Sequence, residues 1–219
     1  MIIAKYVAVV LIGYLIGSIP FGVLISRRTS GTDITQVGSG KTGMTNVLRT
    51  AGKKAAALSL ILDMAKGALP VIFAGLIFGD DYHTIAQVVA ALTAIAGHSW
   101  SVFLKFKGGR GVATFIGGML AMYWPAALVG GGIMIIIGYL SRYMSLGSIS
   151  GAVTAFVMLL ILNVLRAHPP IEYVIYAMLC SIFIYVMHRD NIMRLVSGTE
   201  RRLGEKVGTE NPPSSGEHE

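Results

Sequence analysis

The sequence predicts an all-α integral membrane bundle of about seven transmembrane helices, two of them short, with the N-terminus outside and the C-terminus cytoplasmic. Three observations predict it. Of 219 residues, 54% are hydrophobic and only 13% are charged, about half the charge share of a soluble domain. The apolar residues gather in runs long enough to cross a bilayer, for which a helix needs about 20 residues. The Lys and Arg stand mainly in short stretches between those runs.

The first run, 4–25, has Lys5 at its start and precedes Arg27 and Arg28. Its length and the lack of a small-x-small cleavage site predict an uncleaved span. Further spans are predicted at 55–78, 85–103, 148–165 and 171–187. The segment 112–140 is too long for one comfortable helix and too short for two full ones. Trp124-Pro125 lies near its middle, where proline disfavours helix and tryptophan favours the membrane interface, so two short helices are expected. With that division, 26–54, 104–111, 141–147 and 188–219 share one side and hold 15 Lys and Arg, against Lys5 and Arg166 on the other. Without it the bias falls to 10 against 7. Positive residues resist translocation, so the division stands and the basic side is cytoplasmic. The polar stretch 204–219 is expected to be a disordered tail after a transmembrane domain at 1–203.

This topology absorbs the net charge of +7 and gives no reason to invoke nucleic acid. Cys180 is the only cysteine, which excludes an intrachain disulfide and a Cys-based metal site. No paired carboxylates and no His/Glu metal spacing occur, so no metal is expected.

Two glycine-rich inner loops carry anion-binding composition. Residues 37–49 read VGSGKTGMTNVLR. A nucleotide P-loop would need glycine where Thr35 stands, and no strand precedes the segment, so no nucleotide is expected. Gly38, Gly40 and Gly43 free the backbone to turn N–H groups toward an anion. Lys41 adds a cation, Ser39, Thr45 and Asn46 offer neutral donors, and Arg49 a bidentate grip. An ordinary flexible connection accounts for the glycines equally well. The second loop, Lys107-Gly108-Gly109-Arg110-Gly111 after Lys105 and Phe106, packs cations and glycines into a compact anion site. His188 and Asn191, at i and i+3, share a helix face on the same side. Asp63 and Lys66 lie well inside the second span, where ionisable groups need a partner; their spacing predicts an ion pair that braces the site. His98 near the inner end of the third span reads as structural.

The motifs GSIPFG at 17–22, VGSGKTGMTNVLR at 37–49, DMAKG at 63–67, GHSWSVFLKFKGGRGVAT at 97–114, SRYMSLGSI at 141–149 and HRDNIMRL at 188–195 together resemble one family. It comprises the bacterial membrane acyltransferases that move a fatty acyl group from acyl phosphate to glycerol 3-phosphate, giving lysophosphatidic acid for phospholipid synthesis. The resemblance implies a multi-pass protein of the bacterial inner membrane with its active site facing the cytoplasm, and no cofactor. Carried over by position, it implies a site built from Ser39, Thr45, Asn46 and Arg49, the glycine loop 107–111, Ser145, His188 and Asn191. Two positions depart from the family pattern: Lys41 stands where Asn is usual, and Arg110 where Lys is usual. A transporter of a phosphorylated solute and an inactive paralogue are the competing readings; the clustering of motifs on one side, rather than at the midplane, speaks against transport.

Overall fold

The computed structural model describes residues 1–79, 83–167 and 169–205. The regular elements of the described residues are helices: α1 Ile2–Ser18, α2 Phe21–Ser30, α3 Met44–Phe78, α4 His83–Ser99, α5 Val112–Ser141, α6 Met144–Val164, α7 Ile171–Met187 and α8 Arg189–Val196. A 3-10 turn, Val102–Leu104, leads from α4 into the glycine loop. Large apolar side chains stand exposed on the long helices, among them Leu11, Phe73, Ile136, Ile161 and Ile182. Such a surface suits lipid, where each backbone polar group must be satisfied within its own helix.

The expected first span, 4–25, lies within an apolar stretch long enough to cross a membrane, Ile2–Ser30, and the helix is interrupted inside it at residues 19–20. Pro20 has no N–H to continue the ladder, α1 stops at Ser18, and α2 leaves it carrying Arg27 and Arg28 in its last turn. The freed carbonyls at the break find side chains: Ser101 Oγ donates to Ser18 O at 2.6 Å and Lys66 Nζ to Ile19 O at 2.8 Å. The second span agrees with the expected 55–78: α3 runs from Met44, but Gly52, with φ 83° and ψ −179°, is non-helical and separates a short arm, 44–51, from the long arm that ends at Phe78.

The segment 112–140 does form two arms. The helical path is interrupted at Tyr123 (φ −152°, ψ 83°), just before Trp124-Pro125. Fifteen residues of straight helix span roughly 22 Å, yet Ile116 Cδ1 lies 3.9 Å from where a Cβ on Gly131 would sit. The arms 112–122 and 124–141 therefore fold back on each other. The last helical pair, α7 and α8, bends by 58°. The tail expected at 204–219 falls outside the described residues apart from Gly204 and Glu205.

Small residues bring the backbones together, as they must where lipid supplies no hydrophobic drive between helices. A Cβ on Gly17 would fall on the backbone of Ala94, one on Gly67 on the Thr114 carbonyl, and one on Gly117 on the Met64 carbonyl. These contacts lock α1 to α4 and α3 to the first arm of α5. A further layer of Phe115, Met119, Tyr176 and Cys180 fills the space between α5 and α7.

Gly117→Ala is expected to destabilise the detergent-solubilised protein by about 1–3 kcal/mol through this clash. Gly132→Ala, where nothing among the described residues lies within 4 Å, is expected to leave the unfolding midpoint unchanged or raise it slightly. Paired thermal unfolding curves check the contrast.

Candidate active site

One cavity of about 340 Å³ collects residues from both ends of the chain. Gly38, Ser39 and Lys41 reach it from the 31–43 loop, Thr45, Asn46 and Arg49 from the start of α3, and Arg110 and Gly111 from the entry to α5. Ser145 and Ser148 reach it from α6, His188, Asn191 and Arg194 from the α7–α8 bend, and Glu200 and Arg201 from the segment beyond α8. Asp63 and His98 line it from within the bundle.

The first loop is shaped by one side chain. Asn46 is buried; its Nδ2 donates to the carbonyls of Ile34, Val37 and Lys41 at 2.8, 3.1 and 3.0 Å, and its Oδ1 accepts from Ser39 N at 3.3 Å. Gly38 and Gly40 take positive φ, 67° and 65°, to make the turns this requires. Asn46 was expected to donate to a ligand. Its donors are instead engaged by the loop, and it presents Ser39, Lys41 and Thr45 to the cavity. Gly40 sits beside the Thr35 carbonyl and is not in the lining.

The second loop divides likewise. Gly108 and Gly109 are buried against the end of α4: Gly109 N donates to His98 O at 3.1 Å, and a Cβ on either glycine would collide with His98. Lys107 is exposed and pairs through its backbone with Ser101. These three expected phosphate contacts therefore do not face the cavity; the glycines are there because backbone packs on His98. That packing aims the next residues inward. Arg110 Nε donates to Met187 O at 3.1 Å, tying the loop to the end of α7. Gly111, at φ 82°, caps α5, whose first N–H groups lack acceptors within the helix and carry its positive dipole end. Burial and the Arg194 charge lower the Arg110 pKa, while Glu200 and Asp190 oppose that shift. A buried guanidinium in this state favours an added anion.

Arg49 donates through Nη2 to Arg201 O at 3.4 Å, and its buried Nε has no partner among the described residues. His188 is buried, with Nδ1 2.8 Å from Ile184 O. A carbonyl can only accept, so Nδ1 carries the proton and Nε2 keeps a lone pair. Burial, with the Arg110 charge beside it, lowers the His188 pKa to about 4. Deeper in, Lys66 Nζ lies 2.8 Å from Asp63 Oδ1, and His98 Nδ1 lies 3.9 Å from the same oxygen.

Sequence reasoning missed Arg194, Glu200 and Arg201. Glu200 accepts from Ser145 Oγ at 2.8 Å, Asn191 Nδ2 at 2.6 Å and Arg194 Nε at 2.8 Å. Burial alone would raise its pKa, but these three bonds outweigh burial and lower it, so it is a carboxylate at neutral pH. The available signal was a single acidic residue between Arg194 and Arg201-Arg202.

Comparison with known proteins adds an independent line. Residues 7–198 match the family model described as glycerol-3-phosphate acyltransferase. Glycerol-3-phosphate acyltransferase 3 of Dehalococcoides mccartyi is 53% identical over 94% of this chain and 99% of its own length. A glycerol-3-phosphate acyltransferase of Rhodopseudomonas palustris is 45% identical over 93% and 99%. The crystal structure of PlsY, an integral membrane glycerol 3-phosphate acyltransferase, in its glycerol 3-phosphate form superposes with a TM-score of 0.82 at 37% identity, covering 91% of this chain and 96% of that one. Its lysophosphatidic acid form gives 0.79 at 36%. Matched by the family model over most of its length and by relatives nearly end to end, this chain belongs to the glycerol-3-phosphate acyltransferase family.

Proposed function

We propose that the protein transfers a fatty acyl group from acyl phosphate to the 1-hydroxyl of glycerol 3-phosphate at the cytoplasmic face of the bacterial inner membrane. One observation carries the reading: Arg49, Arg110 and the α5 N-terminus converge on a single cavity, as two phosphate-bearing reactants require. The same orientation puts the N-terminus outside and the C-terminus inside.

The chemistry asks mainly for placement. The hydroxyl oxygen attacks the acyl carbonyl, the carbon–oxygen bond to phosphate breaks, and phosphate leaves with the bonding pair. Arg49 and Arg110 hold phosphates, while Ser39 and the first amides of α5 face the anhydride and its developing negative charge. His188 and Asn191 hold the glycerol moiety. The one lining serine that meets a possible base is Ser145. The Glu200 carboxylate it donates to is held below the usual carboxylate range by its bonds to Asn191, Ser145 and Arg194, too weak a base to activate it. Direct attack without an acyl-enzyme is therefore favoured. His188 is a poor base in this setting, because burial favours its neutral form. The leaving phosphate, with its second ionisation near neutral pH, is the better proton acceptor, and His188 Nε2 orients the hydroxyl. The acyl chain extends between helices into the bilayer.

Purified protein given acyl phosphate and labelled glycerol 3-phosphate is expected to form lysophosphatidic acid, while acyl-CoA and acyl carrier protein thioester give none. Product from a thioester would replace the donor; no product from any donor would leave the inactive-paralogue reading standing. Arg110→Ala is expected to lower kcat/KM by about 10²–10³-fold, the usual effect of removing a buried charged contact to a reacting anion.

His188 gives a pH test whose sign follows from its lowered pKa. An ordinary histidine charges near pH 6.5, whereas His188 stays neutral until pH falls to about 4. The kcat/KM profiles of wild type and His188→Gln should therefore have the same shape between about pH 5.5 and 8, with kcat of the variant within about tenfold. A limb near pH 6.5 seen in wild type and absent from the variant would make His188 the base.

A further inference from the structure

Three polar groups of the cavity each have a donor already engaged. Ser145 Oγ–H and Asn191 Nδ2 both donate to Glu200 Oε1, at 2.8 and 2.6 Å, and His188 Nδ1 donates to Ile184 O at 2.8 Å. Ser145 keeps only its Oγ lone pairs and His188 only its Nε2, while Asn191 keeps its Oδ1 and the second N–H of its amide. Asn191 Oδ1 is buried and has no partner among the described residues. An ionised carboxylate fixes the Asn191 amide this way round, because the opposite face would set oxygen against oxygen. Acceptors repel phosphate and match hydroxyl groups.

Glu200 itself is firmly held. Its second oxygen takes Arg194 Nε at 2.8 Å, and its side chain is 6% exposed. Its backbone N donates to Arg194 O at 3.1 Å, while Leu203 N reaches across to Arg142 O at 2.7 Å. The segment after α8 thus straps the carboxylate between α6 and α8.

We propose that Glu200 is a positioning residue that sets a polyol-reading wall: by taking the Ser145 hydroxyl proton and one Asn191 N–H it fixes the Ser145 lone pairs and Asn191 Oδ1, beside His188 Nε2, as acceptors for the hydroxyls of glycerol 3-phosphate. It also neutralises Arg194, which leaves phosphate to the Arg49 and Arg110 side of the cavity. This rests on glycerol 3-phosphate being the acceptor substrate, and it adds a residue that acts through others without touching the reacting atoms.

The test compares binding of glycerol 3-phosphate with that of 1,3-propanediol monophosphate, which has the same phosphate and lacks the 2-hydroxyl, by calorimetry on purified protein without acyl donor. Wild type is expected to prefer glycerol 3-phosphate by about tenfold, the worth of one well-made hydrogen bond. In Glu200→Gln, whose neutral amide lets Asn191 turn over, that preference should shrink to within about twofold while the analogue binds nearly as in wild type. KM for acyl phosphate should move less than about twofold, and Glu200→Asp should restore part of the preference. Equal weakening of both ligands, with a lowered unfolding midpoint, would reduce Glu200 to a structural strap. An unchanged preference would overturn the proposal outright. Wild type that fails to bind glycerol 3-phosphate would instead overturn the substrate reading.

Discussion

The ion pair of Lys66 with Asp63 is the contact on which the site's placement depends. Both side chains are buried inside the bundle, 2.8 Å apart. Taking two charges out of water costs several kcal/mol each even after relaxation, so the pair adds little net stability, while either charge left alone would cost about 3–5 kcal/mol. What the pair fixes is position. Lys66 also donates to the Ile19 carbonyl, freed by the break at Pro20, and lies 5.8 Å from the centre of the Phe21 ring. Asp63 stands beside His98, and His98 is the surface on which Gly108 and Gly109 pack. The α1–α2 break, α3, the end of α4 and the second glycine loop are thereby registered on one another.

From that registration follows the arrangement of charge at the cavity. Arg110 enters it because the two glycines before it leave no room for anything but backbone against His98. Arg49 enters it from the first turns of α3, just after the loop that Asn46 folds. Two unit charges 4 Å apart interact by about 4 kcal/mol at an effective dielectric of 20, so a phosphate held between such groups is fixed in place as well as bound. For the acyl phosphate donor proposed above, an activated anhydride with a good leaving group, fixing the two reactants side by side would supply much of what catalysis needs.

Much of this was legible in the sequence because membrane physics writes in long runs. Apolar length and the distribution of Lys and Arg gave the passes, and the charge balance alone required the reversal that the chain makes at Tyr123. The break at Pro20 was hidden, since the apolar run continues past it as far as Ile25. Site composition was legible and site direction was not. Asn46, Gly108, Gly109 and Lys107 have the right chemistry for an anion, yet hydrogen bonds and close packing turn the first three to structural use and leave the last exposed. Glu200 went unread for the opposite reason. A carboxylate beside the proposed phosphate sites looks wrong until Ser145, Asn191 and Arg194 are seen around it.

The central claim is that separate loops, far apart in the chain, make one cavity that holds two anionic reactants at once. Equilibrium binding of a non-hydrolysable acyl phosphonate, measured with and without saturating glycerol 3-phosphate, tests it most directly. Simultaneous occupancy predicts that the phosphonate Kd changes by no more than about twofold, since the two ligands engage different groups. Strict competition, with the apparent Kd rising in proportion to glycerol 3-phosphate, would show a single anion site and contradict the account.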